Sequence, residues 1–595
     1  MNSRRPLLGW LLVGPSLIGV AAFMILPVVL AFVVSLFRWD LLGTRRFIGL
    51  ENYQTLITGG ALGNSLLVTG IFTLISVPVS LAIGLLLATQ LVRALPGSAI
   101  VRVLVVIPWV CAPLALGVVW KWIFQPSVGA LNQILGVRIE WLTDPSLALP
   151  AVAFVAIWQN VGYISLFFQA GLTRIPDSIY EAARIDGAAP WQSMLYMTIP
   201  LLRPTTFFLA VTQVVASFQV FDMVFALTGG GPQHRTEVIA SLIYNEAFVA
   251  SRLGRASAVA VILFLLLVVI TLIQQRWFSK RITYDMSCEE ADEMTLQDRT
   301  PVAAPAPGRR RPLTGSLLAR RVMGHAATYL VLVAAAVLTL GPVLFSVMTA
   351  LTSTQQFAQQ GPLSMPAPAV LDNFVALFAP SAGADGFITP VAVTVQMVAV
   401  ILVGQMVFSV LAAYAFAQLR FPGRDLLFWV YVATLMVPQV VVVVPLYLVL
   451  SEAGLRNTFW ALVIPFVLGS PYAIFLLREN FRGVPSELMD AMRIDGAGTL
   501  RLLWHLVVPL NRPIIVTLVL ITVVTHWNSF MWPMVITSGP EWRVITVATS
   551  ALQSQYNNNW TLVMAGTTLA MLPLVILMVL FQKQITRSVG DATLR

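Results

Sequence analysis

Uncharged apolar runs separated by short polar islands govern this chain from end to end. A helical span of a bilayer core needs about 20 apolar residues. Twelve runs qualify, at about 9–37, 64–91, 102–123, 149–172, 205–227, 256–276, 323–350, 389–418, 426–450, 458–478, 514–537 and 561–582. Pro108 and Pro113 within the third predict a kink. No charge falls between Pro6 and Phe37. That run outlasts the core of a signal peptide, so it reads as an uncleaved first span.

Composition agrees with the pattern. Hydrophobic residues make up 58% of the chain and charged residues 10%, with a mean hydropathy of +0.84. Soluble domains carry about 25% charge. The predicted fold class is therefore all-α, a polytopic membrane protein of about 12 transmembrane helices.

The net charge of +10 does not imply nucleic acid as a partner. Of 36 basic residues, only Lys121, Lys280 and Lys583 are lysines, and most basic residues sit in short loops between runs. With the N-terminus placed in the cytosol, inner segments hold about 26 basic residues and outer loops about ten, the bias expected of a membrane chain. The N- and C-termini are then both cytosolic. Cys111, in an apolar run, and Cys288, in a polar stretch, do not make a disulfide framework and read as free thiols.

Six runs per half is an even number, so the halves enter the membrane alike, as two parallel six-helix repeats. The divisions are 1–278, a linker at 279–321 and 322–595. The linker holds an acidic cluster (Glu289, Glu290, Asp292, Glu293), a Pro/Ala stretch and Arg309, Arg310 and Arg311. Such composition buries no core, so it reads as a flexible cytosolic tether. Its arginines read either as a topology signal or as a contact for anionic lipid of the membrane.

One polar island occurs twice, 309 positions apart. It runs from Ile175 to Pro204 and again from Val484 to Pro513. Both copies carry A-x-R-I-D-G-A, then Pro-Leu-x-Arg-Pro thirteen residues after the glycine. The loops that contain them, 174–204 and 483–513, fall between the fourth and fifth runs of each half. Gly187 and Gly496 let the backbone turn between two short helices. Pro200 and Pro509 mark where the segment ends and the next span begins. Arg184 with Asp186, and Arg493 with Asp495, offer charge pairs. Duplication in the same slot points to a docking surface presented twice.

These residues closely resemble the membrane-spanning subunits of carbohydrate ABC importers, the group that includes the maltose transporter. The signature there is E-A-A, three residues, Gly, nine residues, then I-x-L-P. The first copy gives Glu181, Ala182, Ala183, Gly187, Met197, Ile199 and Pro200; the second gives Asp490, Ala491, Met492, Gly496, Leu506, Val508 and Pro509. The second departs at Glu→Asp and Ala→Met, but the spacing holds. A second likeness lies in Phe218 to Asp222 followed by Leu227 to Pro232, and in Trp527 to Phe530 followed by Trp532-Pro533. These match the fifth-span exits of two subunit types, here fused in one chain.

The resemblance implies the type I permease fold of ABC importers. It makes each loop a coupling helix seated in one of two cytosolic ABC ATPase subunits, with Glu181 and Asp490 as acidic contacts. It also implies an extracytoplasmic sugar-binding protein and a carbohydrate substrate.

The chain lacks a phosphate loop: Gly-Lys does not occur, and Thr228 to Pro232 has glycines without the lysine. The chain is expected to be no enzyme and to bind no cofactor, with MgATP held by the partner subunits. Polar residues within spans tend to face a pathway. Asn160 and Tyr163 lie three apart on one helical face, and Gln213 and Ser217 lie four apart, near Phe218 and Asp222. Gln439 and Asn528 are the second-half candidates. Amides, hydroxyls and aromatic faces suit a neutral di- or oligosaccharide. The same residues also serve as glue between membrane helices. Two alternatives stay open: import of glycerol phosphate or a polyol by the same machinery, and an ion-coupled secondary transporter. The latter would need charges buried mid-span.

Overall fold

A computed structural model describes residues 6–40, 45–93, 95–279, 315–379, 386–555 and 559–592. The greater part of the predicted tether, 280–314, lies outside the described residues, as does Cys288.

Every predicted span has a helix. Among the described residues, eight are continuous enough to cross a bilayer: Pro6–Ser35, Ala61–Leu91, Ala148–Leu172 and Leu253–Arg276, then His325–Ala350, Ile388–Gln418, Phe459–Arg482 and Trp560–Phe581. These are the first, second, fourth and sixth spans of each half. A two-residue antiparallel pairing of Phe37–Arg38 with Arg46–Phe47 is the only ladder among the described residues.

The third and ninth spans are broken. Ser98–Val110 and Pro113–Ile123 meet at 96°, and Arg424–Thr434 and Gln439–Glu452 at 102°. The kink predicted inside the third span is thus an elbow between two helices. Pro108 sits within the first limb without ending it. Cys111 and Ala112 are extended, and Pro113 opens the second limb at a position where its missing N–H costs nothing.

The fifth and eleventh spans also break, near the end far from the repeated loops. Arg203–Phe218 gives way at Gln219–Phe221 to Asp222–Leu227, and Arg512–Trp527 gives way at Asn528–Phe530 to Met531–Ile536. The 309-residue register of the motif therefore extends through these spans and their breaks.

The halves interlock. Pro6–Ser35, the first span, lies along Ile388–Gln418 and Gln439–Glu452 of the other half. Gly9 faces the ring of Phe421, and the hydroxyls of Ser16 and Tyr431 share a 2.8 Å hydrogen bond. The seventh span reciprocates against the third and fourth. Arg93 donates to the Thr328 hydroxyl at 2.7 Å, Tyr329 to the Pro96 carbonyl at 3.1 Å, and Trp158 to the Leu338 carbonyl at 2.9 Å. Inside the first half, Gly162 packs directly on the Val105 carbonyl, so the third and fourth spans touch through backbone. Small residues at such crossings let membrane helices approach closely.

Two polar devices recur in both halves. Asn52 donates to the carbonyls of Ser35 (2.8 Å) and Phe37 (2.9 Å), and Asn373 does so to Ala350 (2.9 Å) and Thr352 (2.8 Å). Each ties down the end of its half's first span. Thr69 and Thr394 accept the backbone N–H groups of Ile239 and Ile545 at 3.0 and 2.8 Å. Sequence reading did not find these repeats, because single Asn and Thr residues carry no spacing signal.

Candidate functional site

The two loops fold alike from residue types up. Pro176 and Pro485 are extended and release the chain from the preceding span. Short helices follow, Asp177–Ile185 and Ser486–Ile494. Each ends on a glycine in the left-handed region, Gly187 at φ +77° and Gly496 at φ +80°. The N–H of Ala188 reaches back to the Ala183 carbonyl, and that of Ala497 to the Met492 carbonyl, both at 2.9 Å. This six-to-one closure with glycine at its corner satisfies helix carbonyls that would otherwise be left open. A Cβ at either glycine meets open space, so the demand is conformational.

A second short helix then leads through a π-turn, Met194–Thr198 or Leu503–Val507, into Ile199–Leu201 or Val508–Leu510, which carry Pro200 and Pro509. The next span starts at once, at a bend of 68° in the first half and 83° in the second. Each loop helix is thus coupled to the fifth span of its half through a short stiff segment.

The faces are as informative as the backbone. Ala183 is the buried residue of the first loop helix and Met489 that of the second. Tyr180 of the first copy shares a 3.1 Å hydrogen bond with the Thr198 hydroxyl. Glu181, Ala182, Asp186 and Gly187 are exposed, as are Asp490, Ala491, Asp495 and Gly496. Arg493 pairs with Asp490 at 2.8 Å, one turn away on the same helix, rather than with the predicted Asp495.

Sequence reading passed over the most exposed apolar residues of the loops. Ile185 is 85% exposed and Ile494 is 86% exposed, at equivalent positions. Trp191 and Leu500, each six residues further along its loop, are also exposed. The signal was in the motif, as the isoleucine of R-I-D-G.

The pathway candidates divide into two groups. Asn160 donates to the Ala156 carbonyl of its own helix at 2.8 Å, and Tyr163 stacks on Trp109 with ring centroids 4.5 Å apart. Gln213, Ser217 and Phe218 are buried, and the Ser217 and Thr73 hydroxyls share a 2.8 Å hydrogen bond that ties the fifth span to the second. This first group lies within the first half.

The second group lies on the seam between halves. Gln219 and Asn528 occupy equivalent positions, each at the break in its span. The Gln219 side chain accepts the backbone N–H of Gln439 at 3.2 Å, and the Asn528 side chain donates to the Val110 carbonyl at 2.8 Å. Each amide therefore reaches the elbow of the opposite half. Between them Phe221 and Phe530, again equivalent, stack with centroids 6.3 Å apart, and Phe225 packs on Phe530 at 5.3 Å. Asp222 begins the short helix behind this stack, half-buried. The candidate list omitted Gln219, Phe221 and Phe530 as pathway residues; the 309-residue register is what finds them. His526 is buried against Phe466 and stands apart from the seam contacts.

The family described as "Binding-protein-dependent transport system inner membrane component" matches the chain twice, at residues 80–284 and 405–591, which together cover well over half of it. The sn-glycerol-3-phosphate transport system permease protein UgpA of Agrobacterium fabrum is 38% identical over 283 residues, 47% of this chain and 97% of that protein. The trehalose/maltose transport system permease protein MalF of Thermococcus litoralis is 32% identical over 278 residues, 46% of this chain and 94% of that protein. Each relative thus corresponds over nearly its whole length to about half of this chain. Among solved structures, a bacterial alginate ABC transporter in complex with an alginate pentasaccharide-bound periplasmic protein aligns at 23% identity and a TM-score of 0.40, covering 47% of this chain and 96% of that one.

Proposed function

Because this chain belongs to the family of inner membrane components of binding-protein-dependent transport systems, with two copies of the family's membrane unit in one polypeptide, we propose that it forms the whole membrane passage of an ATP-driven carbohydrate importer. It is a transport subunit, not an enzyme. Residues 1–278 and 322–595 are the two permease halves, and both termini face the cytosol, as the arginine bias supports. Two ABC ATPase subunits dock on the loops and hold MgATP. An extracytoplasmic binding protein delivers the substrate to the opposite face.

The observation that carries this reading is the pair of exposed isoleucines, Ile185 and Ile494, held at equivalent tips of two identically folded loops. The same exposed isoleucine, repeated at one slot of each half, fits a docking surface presented twice. Glu181, Ala182, Asp186 and Gly187, with Asp490, Ala491, Asp495 and Gly496, frame the two docking faces, and Ala183 is turned inward behind the first. Pro200 and Pro509 keep the connection to the fifth and eleventh spans short.

The mechanism follows from the lever. When the ATPases close, the loops approach each other. Each loop swings its own span, and each span ends at the seam. The closed seam, with its Phe221–Phe530 stack and the amides of Gln219 and Asn528 on opposite elbows, then parts toward the outside. Hydrolysis releases the loops and the seam re-forms. This is alternating access by rigid-body motion of two halves.

The substrate is a neutral di- or oligosaccharide. Amides, hydroxyls and aromatic rings line the candidate positions Asn160, Tyr163, Gln213, Ser217, Phe218, Gln439 and Asn528, and the only charge among the candidates is Asp222. A second reading, import of a glycerol phosphate, is favoured by one observation: the 38% identity to a glycerol-3-phosphate permease. The ion-coupled alternative loses its footing once the family is known.

The test is co-purification of the full chain with the host's soluble ATPases, wild type against Gly187→Pro with Gly496→Pro. Two ATPase copies per wild-type chain, lost in the variant, are expected. Uptake driven by an ion gradient without any bound ATPase would sink the proposal. Transport by proteoliposomes holding the assembled complex and its binding protein, offered a disaccharide or sn-glycerol 3-phosphate, separates the two substrate readings.

A further inference from the structure

The fifth and eleventh spans each carry an open stripe on the loop side of the seam. Ala216 and Thr525 are equivalent, and each lies one turn before its seam amide, Gln219 or Asn528, on the same helical face. Both are exposed, although Ser217 and Phe218 beside the one, and His526 and Trp527 beside the other, are buried. The amides on this face reach the elbow of the opposite half. The stripe therefore opens toward the opposite half, not toward lipid. On the fifth span Thr212 and Phe208 continue it toward the repeated loop, and Phe208 is 48% exposed.

The fourth and tenth spans face the same space. The fourth is mostly buried, and Asn160, Tyr163 and Phe167 make a partly open stripe along it. Tyr472 is the equivalent of Tyr163, is 44% exposed, and lies within electrostatic reach of it across the two halves. A seam that is shut, with open stripes on its loop side, leaves a chamber that opens toward the loops.

The two walls of that chamber differ. On the first half Trp109, Tyr163, Phe167 and Phe208 make a continuous row, with ring centroids 4.5, 4.8 and 5.6 Å apart in turn. The row starts beside the elbow, at the residue before Val110, and ends in the first turns of the fifth span, next to the loop. The second half has Leu476 and Thr517 where the first has Phe167 and Phe208. Its wall offers hydroxyls instead. Those of Tyr472 and Thr525 have no hydrogen-bond partner among the described residues. None of these positions carries a charge.

We propose, building on the carbohydrate reading above, that a sugar ring rests its C–H face on this aromatic row while its hydroxyl edge meets Tyr472 and Thr525, so that the second half takes part in choosing the substrate. Aromatic faces hold the apolar side of the ring, and a few hydroxyls, each both donor and acceptor, fix its orientation. A phosphate would find no cation on these stripes.

Thiol labelling of the full chain in nanodiscs tests this. Cys111 is buried, and Cys288→Ser removes the other native thiol. In that chain Ala216→Cys and Thr525→Cys are each expected to react with a charged, water-soluble maleimide, because the chamber is wet. Maltose or trehalose should slow the reaction about fivefold at saturation, the protection expected of a seated ring, and sn-glycerol 3-phosphate should not. With Ala216→Cys as reporter, Tyr472→Phe and Thr525→Val should each raise the half-protecting sugar concentration about fivefold, the loss expected of one hydrogen bond. The labelling rate without sugar checks that the chamber still stands in each variant. Unreactive cysteines would put both stripes against lipid and overturn the chamber. Labelled cysteines that neither sugar protects, in a complex that takes up maltose or trehalose, overturn the site while the carbohydrate reading stands. Protection that is indifferent to both Tyr472→Phe and Thr525→Val overturns the role of the second half. Protection by sn-glycerol 3-phosphate and by neither sugar overturns the site and the carbohydrate reading together.

Discussion

Single side chains separate docking from folding in this chain. Ile185 and Ile494 project into solvent, so changing them costs the fold little; surface substitutions usually stay within about 0.5 kcal/mol. Ile185→Asp with Ile494→Asp is expected to leave the melting temperature within about a degree while reducing ATPase co-purification at least tenfold. A variant that melts early, or that still binds ATPase, refutes the assignment. Glycines divide in the same way. At Gly162 a Cβ runs into the Val105 carbonyl, and Gly162→Ala should destabilise by about 1–3 kcal/mol through overpacking. At Gly187 there is room but the wrong backbone angle for a side chain, and Gly187→Ala should cost about 1 kcal/mol. Denaturant unfolding in detergent measures both. The second glycine was legible in sequence, because its motif repeats and a turn is needed there. The first was not, since nothing along the chain announces which backbone will cross it.

At the level of elements, the decisive feature is the broken span. The prolines at 108 and 113 signalled a disturbance, but hydrophobicity alone could not distinguish a bent helix from two helices at 96°. Likewise the apolar run continues through Gln219–Phe221 and through Asn528–Phe530, so the breaks in the fifth and eleventh spans left no trace in periodicity. What sequence did disclose was the loop that leads into these spans, because charge, glycine and proline punctuate it. The breaks place one amide from each half on the other half's elbow. Gln219→Ala with Asn528→Ala removes both cross-seam hydrogen bonds, each worth about 1 kcal/mol. In the assembled complex this is expected to raise ATP hydrolysis in the absence of substrate several-fold, since the resting closure is weaker. An unchanged basal rate would show that these amides do not hold the seam.

Taken whole, the molecule is two halves, each of which lays its first span on the other. The parallel arrangement and the six-by-six division were readable from run counting and from one duplicated motif. The exchange of first spans was not, because a lipid-facing leucine and a helix-facing leucine look the same in a sequence. Cleavage at a protease site placed within 300–307 tests the consequence. The two fragments are expected to migrate together on size exclusion in mild detergent, held by the crossed first and seventh spans. Fragments that separate would mean that the tether, and not the exchange, keeps the halves together. The exchange also imposes an order in time. Gly9 and Ser16 leave the ribosome some 400 residues before Phe421 and Tyr431, which receive them. During most of synthesis the opening helix has no berth. The first half therefore cannot finish folding before the second has been translated. Such a chain settles its first span only once the ninth has been made, and a product truncated before it would present an unclaimed helix face to whatever surveys the membrane.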